Sequence, residues 1–93
     1  MAVSLVNSSV DFESLFRYNF RPLCLYALHY VGDVEIAEDI VQESFMTLWE
    51  KLEQGTSVVN MRAYLYMVVR NRCLDRLKKK GLEAESLKPY DTY

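Results

Sequence analysis

The sequence predicts an all-α domain, a compact bundle of three to four helices. Apolar side chains recur at three- and four-residue spacings through three long segments, and no stretch alternates apolar with polar residues as a half-buried strand would. Only three Gly and two Pro punctuate 93 residues, so the elements are few and long. A hydrophobic content of 51% is enough for a packed core and argues against disorder. The length suits one domain near the lower end of what folds on its own core.

The first helix is expected to begin near Asp11 as N-cap, and it carries Phe12, Leu15, Phe16, Leu23, Tyr26, Ala27 and Tyr30 at helical spacing. Pro22 falls inside it and predicts a kink or a break, which would make four helices of three. Gly32 reads as its stop and Asp33 as the next N-cap. The second helix runs to about Leu52. Gln54 to Ser57 open a loop that Asn60 closes as N-cap of the third helix, which ends at Gly81 after three lysines. Residues 1–10 are then an N-terminal arm, 11–81 the helical domain, and 82–93, with a Pro and little periodicity, a linker or the start of a tether. The predicted core includes Phe16, Leu23, Ile40, Val41, Phe45, Leu48, Leu65 and Val68, joined on the second helix by Ala37 and Leu52.

Charge is distributed unevenly. Residues 1–60 carry 3 basic and 9 acidic side chains, residues 61–93 carry 8 basic and 4 acidic, so the net charge of −2 conceals a dipolar chain. On the second helix, Asp39, Gln42, Glu43, Met46 and Glu50 gather opposite the core side. Met46 is the odd member there, an apolar group among carboxylates. Such a patch fits a protein-binding surface with apolar contact in the middle and charge at the rim, and it also fits an ordinary solvated face. Trp49, at the border of the two faces, reads as a core aromatic.

The third helix is basic, with 7 basic and 1 acidic side chains between residues 62 and 80. Met61, Leu65, Val68 and Val69 define an apolar side in its first half, while Cys73, Leu74 and Leu77 lie elsewhere on the wheel. Tyr64, Met67, Asn71 and Lys78 form a separate stripe. Arg and Lys neutralise phosphates, Tyr stacks on an exposed base, and Asn pairs with a base edge. A basic stripe of this kind favours nucleic acid over the alternative, a solvated helix with spaced ion pairs.

Chemistry for catalysis is missing from the pattern. His29 is the single histidine, in an apolar stretch where a satisfied structural role is the common one, and no Cys or second His completes a metal site. There is no Gly-rich phosphate loop and no nucleophile elbow. The expectation is a non-enzyme without cofactor or metal. Cys24 and Cys73 are isolated and read as buried, reduced thiols. No apolar run approaches the roughly 18–20 residues that span a bilayer, and the N-terminus lacks the pattern of a signal peptide, so a cytoplasmic location without membrane partner is expected.

Three blocks carry a family resemblance. GDVEIAEDIVQESFMTLWEKL (32–52) followed by RAYLYMVVRNRCLDRLKKK (62–80) resembles the second conserved region of bacterial sigma factors of the extracytoplasmic-function group, and FESLFRYNFRPLCLYALHYVGD (12–33) resembles that family's opening helix. The resemblance covers about residues 11–80. It implies a helical domain that holds the β′ clamp helices of RNA polymerase core with one surface. With another surface it captures and helps to melt the −10 promoter element on the non-template strand. The polymerase contact falls on Asp39, Gln42 and Glu43, at the family's D-x-x-Q-E pattern, and the helical wheel adds Met46. Promoter contact falls on the loop from Thr56 through Ser57 to Asn60 and on Arg62, Tyr64, Arg70 and Asn71, with Lys78 added from the exposed stripe. Tyr64 stands where many relatives carry Trp, which leaves packing and base contact both open for it. The resemblance also implies an anti-sigma factor as partner. Complete members continue through a linker to a helix-turn-helix domain that reads the −35 element. These residues hold no pattern for one, as in an excised domain or a truncated protein. The rival reading is a sigma-like interaction module that binds polymerase or an anti-sigma factor without melting DNA.

Overall fold

The computed structural model describes residues 2–80 of the chain, with side chains described over 12–79. Three helices follow one another: α1 (Ala2–Val31), α2 (Val34–Glu53) and α3 (Met61–Lys80). Each packs against the other two, and no strand occurs among the described residues.

Local chemistry sets the joints where the sequence placed them. Gly32 takes φ +69°, a conformation costly for residues with a Cβ, and its N–H donates to the Leu28 carbonyl at 2.8 Å. Asp33 then caps α2, its Oδ1 accepting from the Ile36 N–H at 3.1 Å. At the far end of α2, the Gln54 N–H donates to the Glu50 carbonyl and Gly55 adopts φ +84°. Asn60 caps α3 in the same way as Asp33 caps α2, accepting from the Ala63 N–H at 2.9 Å.

Two expectations for α1 are corrected. The helix starts at Ala2 rather than at Asp11, because nothing between Met1 and Arg21 is Gly or Pro and no breaker ends the helical register. It also runs without a break through Pro22. Pro22 removes one backbone hydrogen bond, and its partner four residues back, Tyr18, lies on an exposed part of the helix where water can reach the carbonyl. Leu23 and Ala27, both fully buried, hold the following turns against the core. The expected stop at Gly81 and the expected tether over 82–93 lie outside the described residues.

The core joins Leu23 and Ala27 of α1, Ala37, Ile40, Val41, Phe45 and Leu48 of α2, and Leu65, Val69, Cys73 and Leu77 of α3. Three predicted members differ. Leu52, in the last turn of α2, is half-buried against the core rather than within it. Phe16 is 38% exposed and sits at the rim, its ring 4.7 Å from Phe45 and 5.0 Å from Phe20. Val68 is half-buried, and Val69 takes the core position. The buried residues of α3 lie four apart, a stripe that drifts about 40° per step around the helix, so the second half buries a different side from the one Met61 and Val68 suggest. Cys73 lies in that stripe, with its thiol donating to the Ala27 carbonyl at 3.9 Å; Cys24 is half-buried, and both are free thiols. Burial pushes the Cys73 thiol up to about 11. His29 is exposed in the last turn of α1 rather than packed as a structural histidine.

Candidate functional site

Asp39, Gln42, Glu43 and Met46 all lie exposed on α2, on the side opposite Val41, Phe45 and Leu48. They are not equivalent. Glu43 is tied to α3, its Oε1 accepting from Arg72 Nη1 at 3.1 Å. The other terminal nitrogen of Arg72 donates to Thr47 Oγ1 at 2.8 Å, and Thr47 donates in turn to the Glu43 carbonyl. Among the described residues, no hydrogen bond engages the side chains of Asp39 or Gln42. Their polar atoms are therefore available to a partner.

Met46, 61% exposed, borders an apolar groove of about 470 Å³ floored by Phe12, Phe16, Phe45 and Trp49, with Glu50 and Glu53 on its rim. Trp49 is half-buried rather than a core residue, its ring 4.8 Å from that of Phe12. Sequence reasoning missed this groove, because the wheel of α2 alone cannot show that α1 supplies half of its floor. The isolated Met among carboxylates was the one available signal.

The candidate nucleic-acid residues separate into two groups. Thr56, Ser57, Asn60 and Tyr64 line a second groove, of about 480 Å³, between the α2–α3 loop and α3, where Lys51 and Met67 also reach it. Tyr64, Asn71 and Lys78 recur every seven residues, nearly two turns, so Asn71 and Lys78 continue along the same side of α3. Both are exposed. Asn60 has its Oδ1 committed to the cap of α3, which leaves its amide nitrogen as the group open to a ligand.

Arg62 and Arg70 face another way, toward α1. Arg62 Nε donates to Asn19 Oδ1 at 3.2 Å, and its guanidinium lies 5.2 Å from the Tyr66 ring centroid. Tyr66 packs against Tyr26 at 4.9 Å and Tyr26 against Tyr30 at 5.4 Å. The neighbouring Tyr30 side chain, aided by burial, pushes Tyr26 up to about 12, while the charge of Arg70 opposes that rise. Arg70, four residues after Tyr66 and eight after Arg62, shares their side of α3 rather than that of its sequence neighbour Asn71. Asn19, Tyr26 and Tyr66 were absent from the sequence candidates. Asn inside a helix is disfavoured because its side chain competes for backbone groups, and that was the clue to Asn19.

Among the described residues there is no group of three His, Cys, Asp or Glu side chains that could hold a metal ion, and no helix is long and apolar enough to cross a membrane. The arrangement offers binding surfaces of opposite charge: carboxylates and apolar groups on α2, cations, aromatics and amides on α3 and its loop.

The chain belongs to the Sigma-70 region 2 family, whose profile matches residues 15–83. Its relatives are of the extracytoplasmic-function type expected from the three motif blocks: "ECF RNA polymerase sigma factor SigL" of Mycobacterium tuberculosis, matched in three strains, is 41% identical over 64 residues. That match covers 68% of this chain and 36% of the relative, so the chain spans about a third of the length of the curated relatives it matches. No solved structure matches the chain significantly. The family is one of transcription factors rather than enzymes.

Proposed function

We propose that residues 11–81 act in transcription initiation in the cytoplasm as a promoter-capture domain. The α2 surface of Asp39, Gln42, Glu43 and Met46 docks on the β′ clamp helices of RNA polymerase core. Docking presents the α2–α3 loop and the outer side of α3 to the −10 element. A base of the non-template strand unstacks into the groove lined by Thr56, Ser57, Asn60 and Tyr64, and Asn71 and Lys78 continue the contact along the helix. Unstacking costs a few kcal/mol. Stacking on Tyr64, about 1–3 kcal/mol per base, together with phosphate contacts and the grip of the polymerase, offsets it.

The single observation that carries this reading is the loop groove. Its volume of about 480 Å³ lies in the range of small-ligand sites, and its wall combines an aromatic face with amide and hydroxyl groups. The net charge of −2 works against tight binding of the free domain to duplex DNA, so capture depends on the polymerase. The test is retention of the chain on purified polymerase core, followed by binding of the complex to a single-stranded −10 oligonucleotide library. Retention with selection of a base motif supports the reading; retention without any oligonucleotide binding overturns the capture step.

The aromatic groove beside Met46 favours a second reading. An acidic-rimmed apolar groove suits a protein segment, and a sigma-like module that binds polymerase or an anti-sigma factor without melting DNA would need only that side. An anti-sigma factor is compatible with both readings.

A further inference from the structure

We propose that Asn19, on α1, is a positioning residue that holds the Arg62 guanidinium ready for a backbone phosphate of the captured strand. The inference rests on the proposed capture of the −10 element and extends it to Arg62, a sequence candidate on the side of α3 that faces α1, with a residue from a different helix behind it. Asn19 Nδ2 donates to the Leu15 carbonyl at 2.9 Å, which turns the amide oxygen outward. That oxygen accepts from Arg62 Nε at 3.2 Å. Tyr66, one turn along α3, covers a face of the guanidinium, with 5.2 Å between Cζ and the ring centroid. Arg62 is thereby gripped at Nε and across its plane. Its two terminal nitrogens make no hydrogen bond among the described residues, and they form the fork that meets a phosphate in bidentate fashion.

The holding group is an amide, and this matters. A carboxylate at the same place would grip the guanidinium more strongly but cancel its charge. Among the described residues Arg62 makes no ion pair, so the charge stays available for a phosphate. An unheld arginine loses rotamer freedom when it binds; Asn19 and Tyr66 take up part of that loss in advance.

The experiment uses the chain combined with RNA polymerase core, binding fork DNA with a −10 element over a salt series, with thermal melting of each variant alongside. Arg62→Ala should weaken binding about eightfold at about 0.1 M salt and lower the salt slope by about 0.7–0.9, the share of one phosphate. Matched and mismatched sequences should lose equally, since phosphate contacts carry no base information. Asn19→Ala should weaken binding about two- to tenfold, the cost of ordering one long side chain on binding, with the slope unchanged. The double variant should bind no worse than Arg62→Ala alone. Asn19→Asp, which keeps an acceptor for Arg62 but loses the donor to the Leu15 carbonyl and adds a negative charge, should weaken binding and lower the slope as loss of one phosphate contact does. Parent-like binding by Asn19→Ala or by Asn19→Asp overturns the proposal, as does an Asn19→Ala loss that persists undiminished beside Arg62→Ala. If Arg62→Ala itself binds like the parent, the phosphate contact falls and Asn19 with it. Capture of the −10 element is judged separately by Asn71→Ala in the same assay.

Discussion

Arg72 of the basic helix reaches across to Glu43 of the acidic helix at 3.1 Å, joining the two oppositely charged elements at one point. Both side chains remain well exposed, so the pair contributes on the order of 0–1 kcal/mol. Its consequence is positional. Glu43 is drawn toward α3, and Asp39 and Gln42 are left as the unengaged polar groups of the α2 surface. Arg72 Nε is buried without a hydrogen-bond partner, while Nη1 and Nη2 donate to Glu43 and Thr47, so its terminal nitrogens are already engaged within the domain.

That division predicts unequal effects on polymerase binding. Asp39→Ala combined with Gln42→Ala should weaken binding to polymerase core while leaving the melting temperature nearly unchanged, because neither side chain supports the fold. Glu43→Ala should also release Arg72, with a stability change below about 1 kcal/mol. Co-elution with core and thermal melting check both; intact binding by the folded double variant would move the interface away from α2.

Phe45 is 2% exposed and meets Phe12 edge-on at 6.0 Å and Phe16 at 4.7 Å. Phe45→Ala should cost about 3–5 kcal/mol in urea denaturation, a large part of the stability of so small a domain. It should also remove the floor of the groove beside Met46. A loss below about 1 kcal/mol would contradict the packing described for α2.

The two groups of nucleic-acid candidates should respond differently. Asn71→Ala, on the loop side of α3, should shift base preference at one position of the −10 element by roughly 1–3 kcal/mol if the amide pairs with a base edge. Arg70→Ala, beside Tyr26, should weaken all sequences alike and flatten the salt dependence. Holoenzyme affinity for matched and mismatched fork DNA at two salt concentrations separates the outcomes. Full discrimination by both variants would leave the interaction-module reading.

Thiol chemistry tests the core directly. The Cys73 thiol is raised to about 11 by burial, so its protonated form is favoured by folding. The sign follows: this stabilisation is fully present below the unfolded value of about 9.0 and is lost as pH rises through about 11. At pH 8 a disulfide reagent should titrate Cys24 first and reach Cys73 only as fast as the domain opens. Equal rapid labelling of both in the native state would show that α3 is not packed as described.

The joints between the helices and the charge segregation were legible from local chemistry, whereas the start of α1, at Ala2 rather than Asp11, was not. Gly32, Asp33 and Asn60 act through backbone groups within four residues of themselves, and the exposed set on α2 follows from the angular step of one helix. The three blocks that mark the family are local patterns as well, which is why the sigma-factor assignment was within reach of the sequence. What the sequence could not determine is how each helix is rotated against its neighbours. That rotation keeps α1 continuous across Pro22, moves Phe16 to the rim and exchanges Val68 for Val69 in the core. A helical wheel gives angles within one helix, whereas the contacts that pair Asn19 with Arg62 and Glu43 with Arg72 join residues 43 and 29 positions apart. Only the packing of all three helices on a common core brings such residues together.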